Sequence, residues 1–348
     1  MKYIKIGLIG FGKGGRTYNA PIIDSVEGFK ITRIMTTNPL NIAAAKEDFP
    51  NAKIDSKIDE ITSDPSIDLV IITAPNHLHK KLAKKALTAG KHVVVEKPFT
   101  PTVKEAEDLI ALAAKKNLIL TINHNRRWDS DFLTVQKLIG DKKLGEIVDY
   151  EAHFERFRAE VPGGWKEDKK NPGSGILYDL GSHLIDQALT LFGPPKEIFA
   201  DLRSQRKNAE VPDNFEVLLF YPNLKVSLNA GMLVNLKGPT YAVHGRKGSF
   251  LKYGVDPQEE MLKNRLKPTG NWGWGMEAQE IWGKYNLLEE SGTIESEVGD
   301  YRMFYQNVLS AIKGKEELIV KPEQARDVIK IIELAIQSNK EKRRVEFQ

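Results

Sequence analysis

An apolar run followed at once by a glycine-rich loop limits the possible folds of this chain more than any other stretch. Residues 3–9 read as a short strand, and Gly10, Gly12 and Gly15 then fill a G-x-G-x-x-G pattern before a predicted helix at 16–26. In such a pattern the first glycine permits a tight turn, the second lets a pyrophosphate approach the backbone, and the third allows close packing of helix on strand. The helix N-terminus then offers N–H groups to the phosphates. We predict a dinucleotide site contacted by Gly10, Phe11, Gly12 and Gly15.

Apolar runs and helical patterns alternate through the first third of the chain. Strands separated by helices imply right-handed crossovers and a mostly parallel, doubly wound sheet. The polar run at 123–129 breaks this alternation and is interpreted as a hinge between domains. We therefore predict an α/β fold whose dinucleotide-binding Rossmann domain covers residues 1–124. Its predicted strands cover residues 3–9, 30–36, 67–73, 93–95 and 118–122.

The rest of the chain has a different pattern. A chain of 348 residues is too long for one ordinary core, so two domains are expected. Beyond residue 146, short runs alternate apolar with polar residues and are separated by turn residues, which indicates a largely antiparallel, open sheet with one covered face. We predict that residues 125–348 form an α+β domain for substrate binding and oligomerisation. Its predicted strands cover residues 147–157, 198–205, 215–220, 226–232 and 241–244, and its main helices 300–313 and 323–340.

The end of the second predicted strand bears on which dinucleotide binds. An NAD site usually carries Asp or Glu there for the ribose 2′-hydroxyl, whereas this chain has Met-Thr-Thr-Asn at 35–38. Hydroxyl and amide groups accept a 2′-phosphate without repulsion, and Arg16 or Arg33 could lie near enough to help. We predict NADP as the cofactor, with contacts from Thr36 and Thr37. The alternative is a polar loop indifferent to the phosphate, so NAD stays possible.

Two neighbouring strands of the predicted sheet end in polar groups. Three valines at 93–95 are followed by Glu96 and Lys97, and open α/β sheets keep their ligands at the carboxyl ends of strands. Lys97 is therefore the first candidate for chemistry, although both charges could instead be solvated caps of the strand. The preceding strand ends in Ala-Pro-Asn-His-Leu-His at 74–79, where Asn76 could equally be a helix N-cap. We expect cofactor contacts from Pro75, Asn76, His79, Glu96 and Lys97.

Composition and short motifs argue against several other classes of function. The net charge of +4 is spread along the chain, so no nucleic-acid partner is expected. The absence of cysteine excludes disulfides and thiolate zinc sites, and the single His-Leu-His motif at 77–79 is poor support for a metal. No apolar stretch reaches transmembrane length. We expect a soluble, cytoplasmic protein with no metal and no membrane contact.

Taken together and in this order, these motifs resemble the glucose–fructose oxidoreductase/inositol dehydrogenase (Gfo/Idh/MocA) family over essentially the whole chain. The runs His-Asn-Arg-Arg-Trp-Asp at 124–129 and Tyr-Asp-Leu-Gly-Ser-His at 178–183 are most similar to its NADP-dependent scyllo-inositol dehydrogenases. The resemblance implies a Rossmann domain, a C-terminal domain whose open sheet is commonly a dimer surface, and hydride transfer on a sugar or cyclic polyol. A homodimer or homotetramer is therefore expected. Asn38 stands where the resemblance implies an Arg for the 2′-phosphate.

The predicted chemistry assigns roles to three side chains. Oxidising a secondary alcohol needs a base on its hydroxyl, and His183 would take that proton. Lys97, partly desolvated at a strand end, would stabilise the negative charge that develops on the oxygen. Asp179 lies four residues before His183 on the same predicted helix and would orient the imidazole or bind another hydroxyl, unless His183 is an ordinary helix polar group. Looser candidates for substrate contacts, each with a structural alternative, are His124, Arg127, Arg156, Trp165 and Tyr178.

Two other functions stay open at this point. One is a reductase of another sugar or diol on the same fold, and the other is a regulator that senses the dinucleotide without catalysis. A sensor has no need of proton-transfer groups, so the presence of Lys97, Asp179 and His183 together favours an enzyme.

Overall fold

The computed structural model describes residues 3–348, which form two compact units. The first unit contains the residues up to Asn125, Gln258–Trp274 and Asp300–Arg326. The second contains Arg126–Pro257, Gly275–Gly299 and Asp327–Gln348. The chain therefore leaves the first unit one residue after the predicted boundary and returns to it twice, and no local sequence pattern indicates these returns.

The elements are numbered in chain order. Strands β1 to β15 are Ile4–Ile9, Phe29–Met35, Lys53–Asp55, Leu69–Ile72, His92–Glu96, Leu120–Asn123, Ile147–His153, Glu197–Arg203, Asn214–Phe220, Lys225–Gly231, Tyr241–Gly245, Gly248–Lys252, Gly283–Leu287, Ser291–Ile294 and Val345–Glu346. Helices α1 to α10 are Ala20–Asp24, Pro39–Asp48, Ile58–Thr62, His79–Thr88, Val103–Lys116, Ser130–Gly140, Ser182–Phe192, Gln258–Lys263, Arg302–Ile312 and Pro322–Glu341.

The first unit is built on a sheet of six parallel strands in the order β3-β2-β1-β4-β5-β6. Strand β4 and the valines at 93–95 of β5 are fully buried, as parallel strands with both faces covered must be. The strand order reverses between β1 and β4, and ligands of such sheets bind at the carboxyl ends of strands near this point. The predicted doubly wound parallel sheet is confirmed. Strand β3, with three residues, is too short to show a period in the sequence.

The second unit contains a nine-stranded sheet in the order β14-β13-β12-β11-β7-β10-β9-β8-β15. All neighbours are antiparallel except β7 and β10, which are parallel. In β9, Phe215, Val217 and Leu219 are buried while Leu218 between them is partly exposed, so one face of the sheet is covered. The predicted, largely antiparallel sheet is confirmed, and β12 to β14 extend it beyond the predicted strands.

The helices in the described part of the chain are short. The longest, α10, has 20 residues, and none of the helices within residues 3–348 is long and apolar enough to cross a membrane. Residues 102–105, Thr-Val-Lys-Glu, have the sequence pattern of a capping box, which predicts a helix start. Helix α5 does begin directly after Thr102, whose Oγ1 accepts a hydrogen bond from Glu105 N at 3.3 Å.

A buried polar cluster in the second unit is formed by Ser130, Asp131, Lys252, Asp256 and Glu277. Lys252 and Glu277 are both fully buried, and their side chains pair at 2.9 Å. Ser130 joins the carboxylates, because its Oγ donates to Glu277 Oε1 and its N–H donates to Asp256 Oδ2, each at 2.7 Å. Asp131 is 2% exposed, and its burial, with the charges of Asp256 and Glu277, raises its pKa to about 7.

The raised pKa of Asp131 makes the stability of the fold depend on pH. An unfolded Asp has a pKa of about 3.9, so the folded state holds this proton more tightly. The contribution to the free energy of unfolding is full below about pH 4 and is lost as the pH rises through about 7. We expect Asp131→Asn to remove this loss and to raise the free energy of unfolding at about pH 8 by about 2–4 kcal/mol.

Urea unfolding at a series of pH values between about 5 and 8 measures this effect. The exposed Asp141→Asn is the matched control, and its pH profile should follow that of the wild type. Parallel profiles for the wild type and Asp131→Asn would contradict the prediction.

Candidate active site

The glycine loop after β1 has the three features that its pattern predicts. Gly10 has a φ of +92°, in the region that side chains rarely adopt. A Cβ added at Gly15 would lie 2.3 Å from the carbonyl oxygen of Gly10, so only glycine allows this close packing. At Gly12 the nearest neighbour of an added Cβ is Asn41 Nδ2 at 3.9 Å, which leaves space for a ligand to approach the backbone. The loop therefore fits a dinucleotide pyrophosphate.

The chain leaves the loop through a π-helical turn, Lys13–Asn19, which precedes α1. π-Helical turns are rare in proteins, and those that occur often lie at functional sites. Thr73 Oγ1 donates to the carbonyl oxygen of Gly10 at 2.8 Å and so fastens the loop to the end of β4. Phe11 is 1% exposed, and its ring packs edge-on against Phe49 with 6.0 Å between centroids. The backbone of Phe11, rather than its ring, is therefore the part that can contact a cofactor.

Both arginines that the sequence offers to a 2′-phosphate are paired with carboxylates. Arg33 makes two hydrogen bonds of 2.7 Å to Asp55 and one of 2.8 Å to Asp64, and this pairing lowers the pKa of Asp64 to about 2. Arg16 Nε donates to Asp48 at 2.7 Å. Arg33 thus fastens β2 to β3, and the structure gives it this structural role instead of the suggested phosphate contact.

The loop at the end of β2 presents neutral polar groups. Thr36 is largely buried, and its N–H donates to Asp55 O at 3.1 Å, while Thr37 is exposed. The side chain of Asn38 accepts a hydrogen bond from Leu40 N at 2.9 Å and so caps α2. The predicted contacts of Thr36 and Thr37 with the ribose that carries the 2′-phosphate stay a prediction.

His79 fastens the loop after β4 to the turn after β5. It is 1% exposed, its Nδ1 lies 2.9 Å from Pro98 O and 3.2 Å from Phe99 O, and its Nε2 lies 2.9 Å from Ala74 O. Burial lowers the pKa of this imidazole. Both ring nitrogens thus face main-chain carbonyls, which gives His79 a supporting role beside Pro75 and Lys97. Its predicted contact with a cofactor stays a prediction.

Asn76 and His124 are two further predicted site residues of the first unit. Asn76 is 2% exposed and opens a 3₁₀ turn, so it does not hold the N-cap position of α4. His124 is 1% exposed and directly follows β6. Both residues lie just beyond the carboxyl ends of parallel strands, as the sequence predicts.

Glu96 ends β5, Lys97 follows directly, and two side-chain amides hold the Glu96 carboxylate. Glu96 Oε1 accepts hydrogen bonds from Asn19 Nδ2 at 2.7 Å and from Asn123 Nδ2 at 2.8 Å, and its Oε2 accepts one from Lys97 N at 3.1 Å. Glu96 is therefore held by the glycine-loop segment and by the end of β6 together. Asn19 gives no signal in the sequence, because it resembles any other polar residue of a helix.

Asp179 and His183 lie on either side of a change in helix type in the second unit. Asp179 belongs to a π-helical turn, Leu177–Gly181, and His183 to α7, which follows directly. Residues four apart share a face only on a continuous α-helix, whereas a π turn closes its hydrogen bonds five residues apart. The relative direction of the two side chains is therefore set by this turn. His183 is 6% exposed. Lys166 Nζ lies 2.7 Å from Asp179 Oδ1, an ion pair that sequence analysis missed.

Arg127 and Asp186 form a buried, bidentate ion pair in the second unit. Arg127 Nε and Nη2 donate to the two oxygens of Asp186 at 2.8 and 2.7 Å, and both side chains are almost fully buried. This edge of Arg127 therefore contacts protein, which favours the structural alternative for its role. Lys166 lies over the ring of Trp165 at 5.6 Å and so brings Trp165 together with Asp179. The other two predicted substrate residues, both partly exposed, are Arg156 and Tyr178.

Each unit supplies a different kind of chemistry: the groups of the first can hold a dinucleotide, and those of the second include an imidazole that can accept a proton. Within residues 3–348, no group of three or more His, Asp or Glu side chains is placed to hold a metal ion. The first unit supplies the phosphate loop and the Lys97 amine, and the second supplies an imidazole with a carboxylate four residues before it.

Two family models match most of the chain. Residues 4–124 match the oxidoreductase family model described as a NAD-binding Rossmann fold, and residues 136–347 match the model of that family's C-terminal alpha/beta domain. The chain is 42% identical over 346 residues to scyllo-inositol 2-dehydrogenase (NADP(+)) of Bacillus subtilis, covering 98% of this chain and 95% of that protein. It is also 42% identical to the uncharacterized oxidoreductase YdgJ of Escherichia coli, covering 97% and 96% of the two chains.

Solved structures show the same fold. The structure of yvaA from Bacillus subtilis superposes with a TM-score of 0.96 at 41% identity, covering 100% of this chain and 99% of that one. A NAD-binding protein from Listeria innocua superposes with a TM-score of 0.84 at 26% identity, covering 99% and 97%. The resemblance drawn from the motifs is confirmed. The chain belongs to the Gfo/Idh/MocA family of oxidoreductases.

Proposed function

We propose that this protein transfers a hydride between a nicotinamide dinucleotide and a secondary alcohol or ketone of a cyclic polyol or sugar. Scyllo-inositol is the first substrate to test, because the 42% identical relative of Bacillus subtilis is named for it. The observation that carries the proposal is the placement of Lys97 at the carboxyl end of β5, beside a carboxylate held by the glycine-loop segment. Sheets of this kind bind their ligands at the carboxyl ends of the strands, so an amine at this position can contact a bound ligand.

The proposed roles follow from ordinary acid–base chemistry. When bound, the nicotinamide supplies the hydride acceptor, and the protein has to manage the proton and the charge on oxygen. His183 takes the hydroxyl proton, and Lys97 donates a hydrogen bond to the same oxygen and stabilises its negative charge. Asp179, held at 2.7 Å by Lys166, keeps the imidazole in one orientation or binds a further hydroxyl.

A substrate panel tests the proposal directly. Formation of NADPH and of NADH is followed with inositol isomers, aldoses and anhydro sugars, and reduction is followed with the matching ketones. We expect an inositol with NADP to give the highest kcat/KM. A higher value with another sugar or a diol would assign the chain to a different reductase of this fold. Dinucleotide binding without turnover on any member of the panel would overturn the catalytic proposal and favour a sensor.

The cofactor preference is tested at the end of β2. Because no carboxylate stands at 35–38, we expect the wild type to bind NADP about tenfold more tightly than NAD, a difference of about 1.4 kcal/mol. Thr36→Asp should reverse this preference by placing a negative charge where the 2′-phosphate lies. Fluorescence titration gives the four dissociation constants. Thr36→Asn, with the same shape and no charge, is the control, and tenfold tighter binding of NAD by the wild type would refute the prediction.

We also propose that the protein is a cytoplasmic homodimer or homotetramer. The proposal follows from the resemblance, which implies that the open sheet is commonly a dimer surface, and this nine-stranded sheet leaves Leu218 partly exposed and Leu251 exposed at outward positions. Light scattering on the purified protein measures the mass, and a monomer at all concentrations would contradict the oligomer.

A further inference from the structure

Asn19 occupies a buried junction at the end of the π-helical turn that follows the glycine loop. Its side chain is 0% exposed, and Nδ2 donates to Gly14 O at 2.9 Å and to Glu96 Oε1 at 2.7 Å. Its Oδ1 accepts from Asn123 Nδ2 at 3.2 Å and from the hydroxyl of Tyr305. Two donors and two acceptor positions are the full capacity of an amide, so every one is used.

This pattern fixes the orientation of the amide. Exchanging its oxygen and nitrogen would turn Oδ1 toward Gly14 O and the Glu96 carboxylate, which are acceptors, and would turn Nδ2 toward donors. Tyr305 is 2% exposed, and burial raises its pKa far above the ordinary value, so its hydroxyl stays protonated and donates. Asn123 completes the junction, because its Nδ2 also donates to Glu96 Oε1 at 2.8 Å.

The junction connects the two parts of the first unit that the proposed reaction needs. The Asn19 Nδ2 group donates one hydrogen bond to the main chain of the glycine loop at Gly14 and a second one to Glu96. The other carboxylate oxygen of Glu96 accepts the Lys97 N–H. Three directional hydrogen bonds of 2.7 to 3.1 Å therefore connect the main chain of the loop to the residue that carries the amine.

We infer that Asn19 and Tyr305 are positioning residues that couple dinucleotide binding at the glycine loop to the placement of Lys97. The inference rests on the proposed function, since it takes Lys97 as the group that acts on the reacting oxygen. Neither residue contacts the reacting atoms in this scheme. Their loss therefore acts on kcat through Lys97 and on dinucleotide affinity through Gly14.

The test compares two buried tyrosines on one segment of the first unit. Tyr305→Phe removes only the hydroxyl that orients Asn19, and we expect kcat to fall about three- to tenfold, as for the loss of one hydrogen bond, with the KM for the alcohol unchanged. Tyr301→Phe removes a hydroxyl from a tyrosine of similar burial outside the junction and should keep the wild-type kcat. In a Lys97→Ala background, Tyr305→Phe should lower the residual rate no further, because both changes act on one group.

A second variant tests the effect of Asn19 on dinucleotide affinity, in a measurement that does not depend on turnover. Asn19→Asp places an acceptor against Gly14 O and Glu96, and we expect NADPH affinity by fluorescence titration to fall at least about tenfold. A wild-type kcat in Tyr305→Phe, or full additivity with Lys97→Ala, would overturn the coupling while leaving the proposed function intact. If no substrate is turned over but Asn19→Asp weakens NADPH binding, the proposed function fails and the link from Asn19 to the loop stands. Unchanged NADPH affinity in folded Asn19→Asp would overturn that link.

Discussion

Replacing Lys97 with alanine should lower kcat by a factor of about 10² to 10³ while leaving the fold and dinucleotide binding largely intact. The amine lies at the end of β5, half-buried, where a positive charge stabilises a developing alkoxide far better than bulk water does. Strand β5 is held by its fully buried valines, so we expect the fold to survive the loss of the amine. Steady-state kinetics and NADPH titration measure the two effects separately.

Lys104→Ala is the matched control for Lys97→Ala. Lys104 lies nearby in sequence at the start of α5, and its side chain is 81% exposed, so its loss should change neither kcat nor binding. Substantial activity in Lys97→Ala would show that Lys97 is only a solvated charge that caps the strand.

His183→Ala should lower the rate of alcohol oxidation by a factor of about 10² to 10⁴ near neutral pH, where the base does most to remove the proton. Part of the activity should return at high pH, because hydroxide can then take the proton. Asp179→Ala should cost less, since Asp179 orients the base. The double variant should lose less than the sum of the two single losses, because residues that act as one unit are not additive.

The pH profile of kcat is the decisive measurement for His183. His244→Ala is a suitable control, because His244 lies in the same unit on β11, where its Nδ1 lies 2.8 Å from Ser249 Oγ. Strict additivity of the Asp179 and His183 losses, or a wild-type pH profile in His183→Ala, would remove His183 from the mechanism.

Local patterns predicted the elements that local forces determine. The glycine loop, the buried strands β4 and β5 and the capped start of α5 each follow from residues within one short window. The parallel pairing of β7 with β10 joins residues 76 positions apart in the sequence, such as Asp149 and Lys225, and no short window contains both. The same limit explains the missed pair of Arg127 with Asp186 and the missed contact of Asn19 with Tyr305.

The π turn before α7 was missed for a different reason. Apolar spacing distinguishes a helix from a strand, but α and π turns bury nearly the same residues over so short a segment. The sequence could therefore place Asp179 and His183 on one helical segment, while the direction of each side chain depends on the turn type that the surrounding packing selects.

The first unit is assembled from separate segments of the chain, and this affects its folding during synthesis. Its six strands are complete once residue 123 has left the ribosome, yet two of its buried polar groups wait for partners from much later in the chain. The Asn19 amide oxygen meets the hydroxyl of Tyr305, and the Thr121 hydroxyl donates to Val320 O at 2.7 Å. At about 5–20 residues per second, the roughly 200 intervening residues take about 10–40 s to emerge. During that interval the Thr121 hydroxyl lacks its bond to Val320 O, and the Asn19 oxygen keeps only the bond from Asn123. We therefore expect the nascent sheet to open readily and to gain its full stability only after the later segment, residues 300–326, has docked.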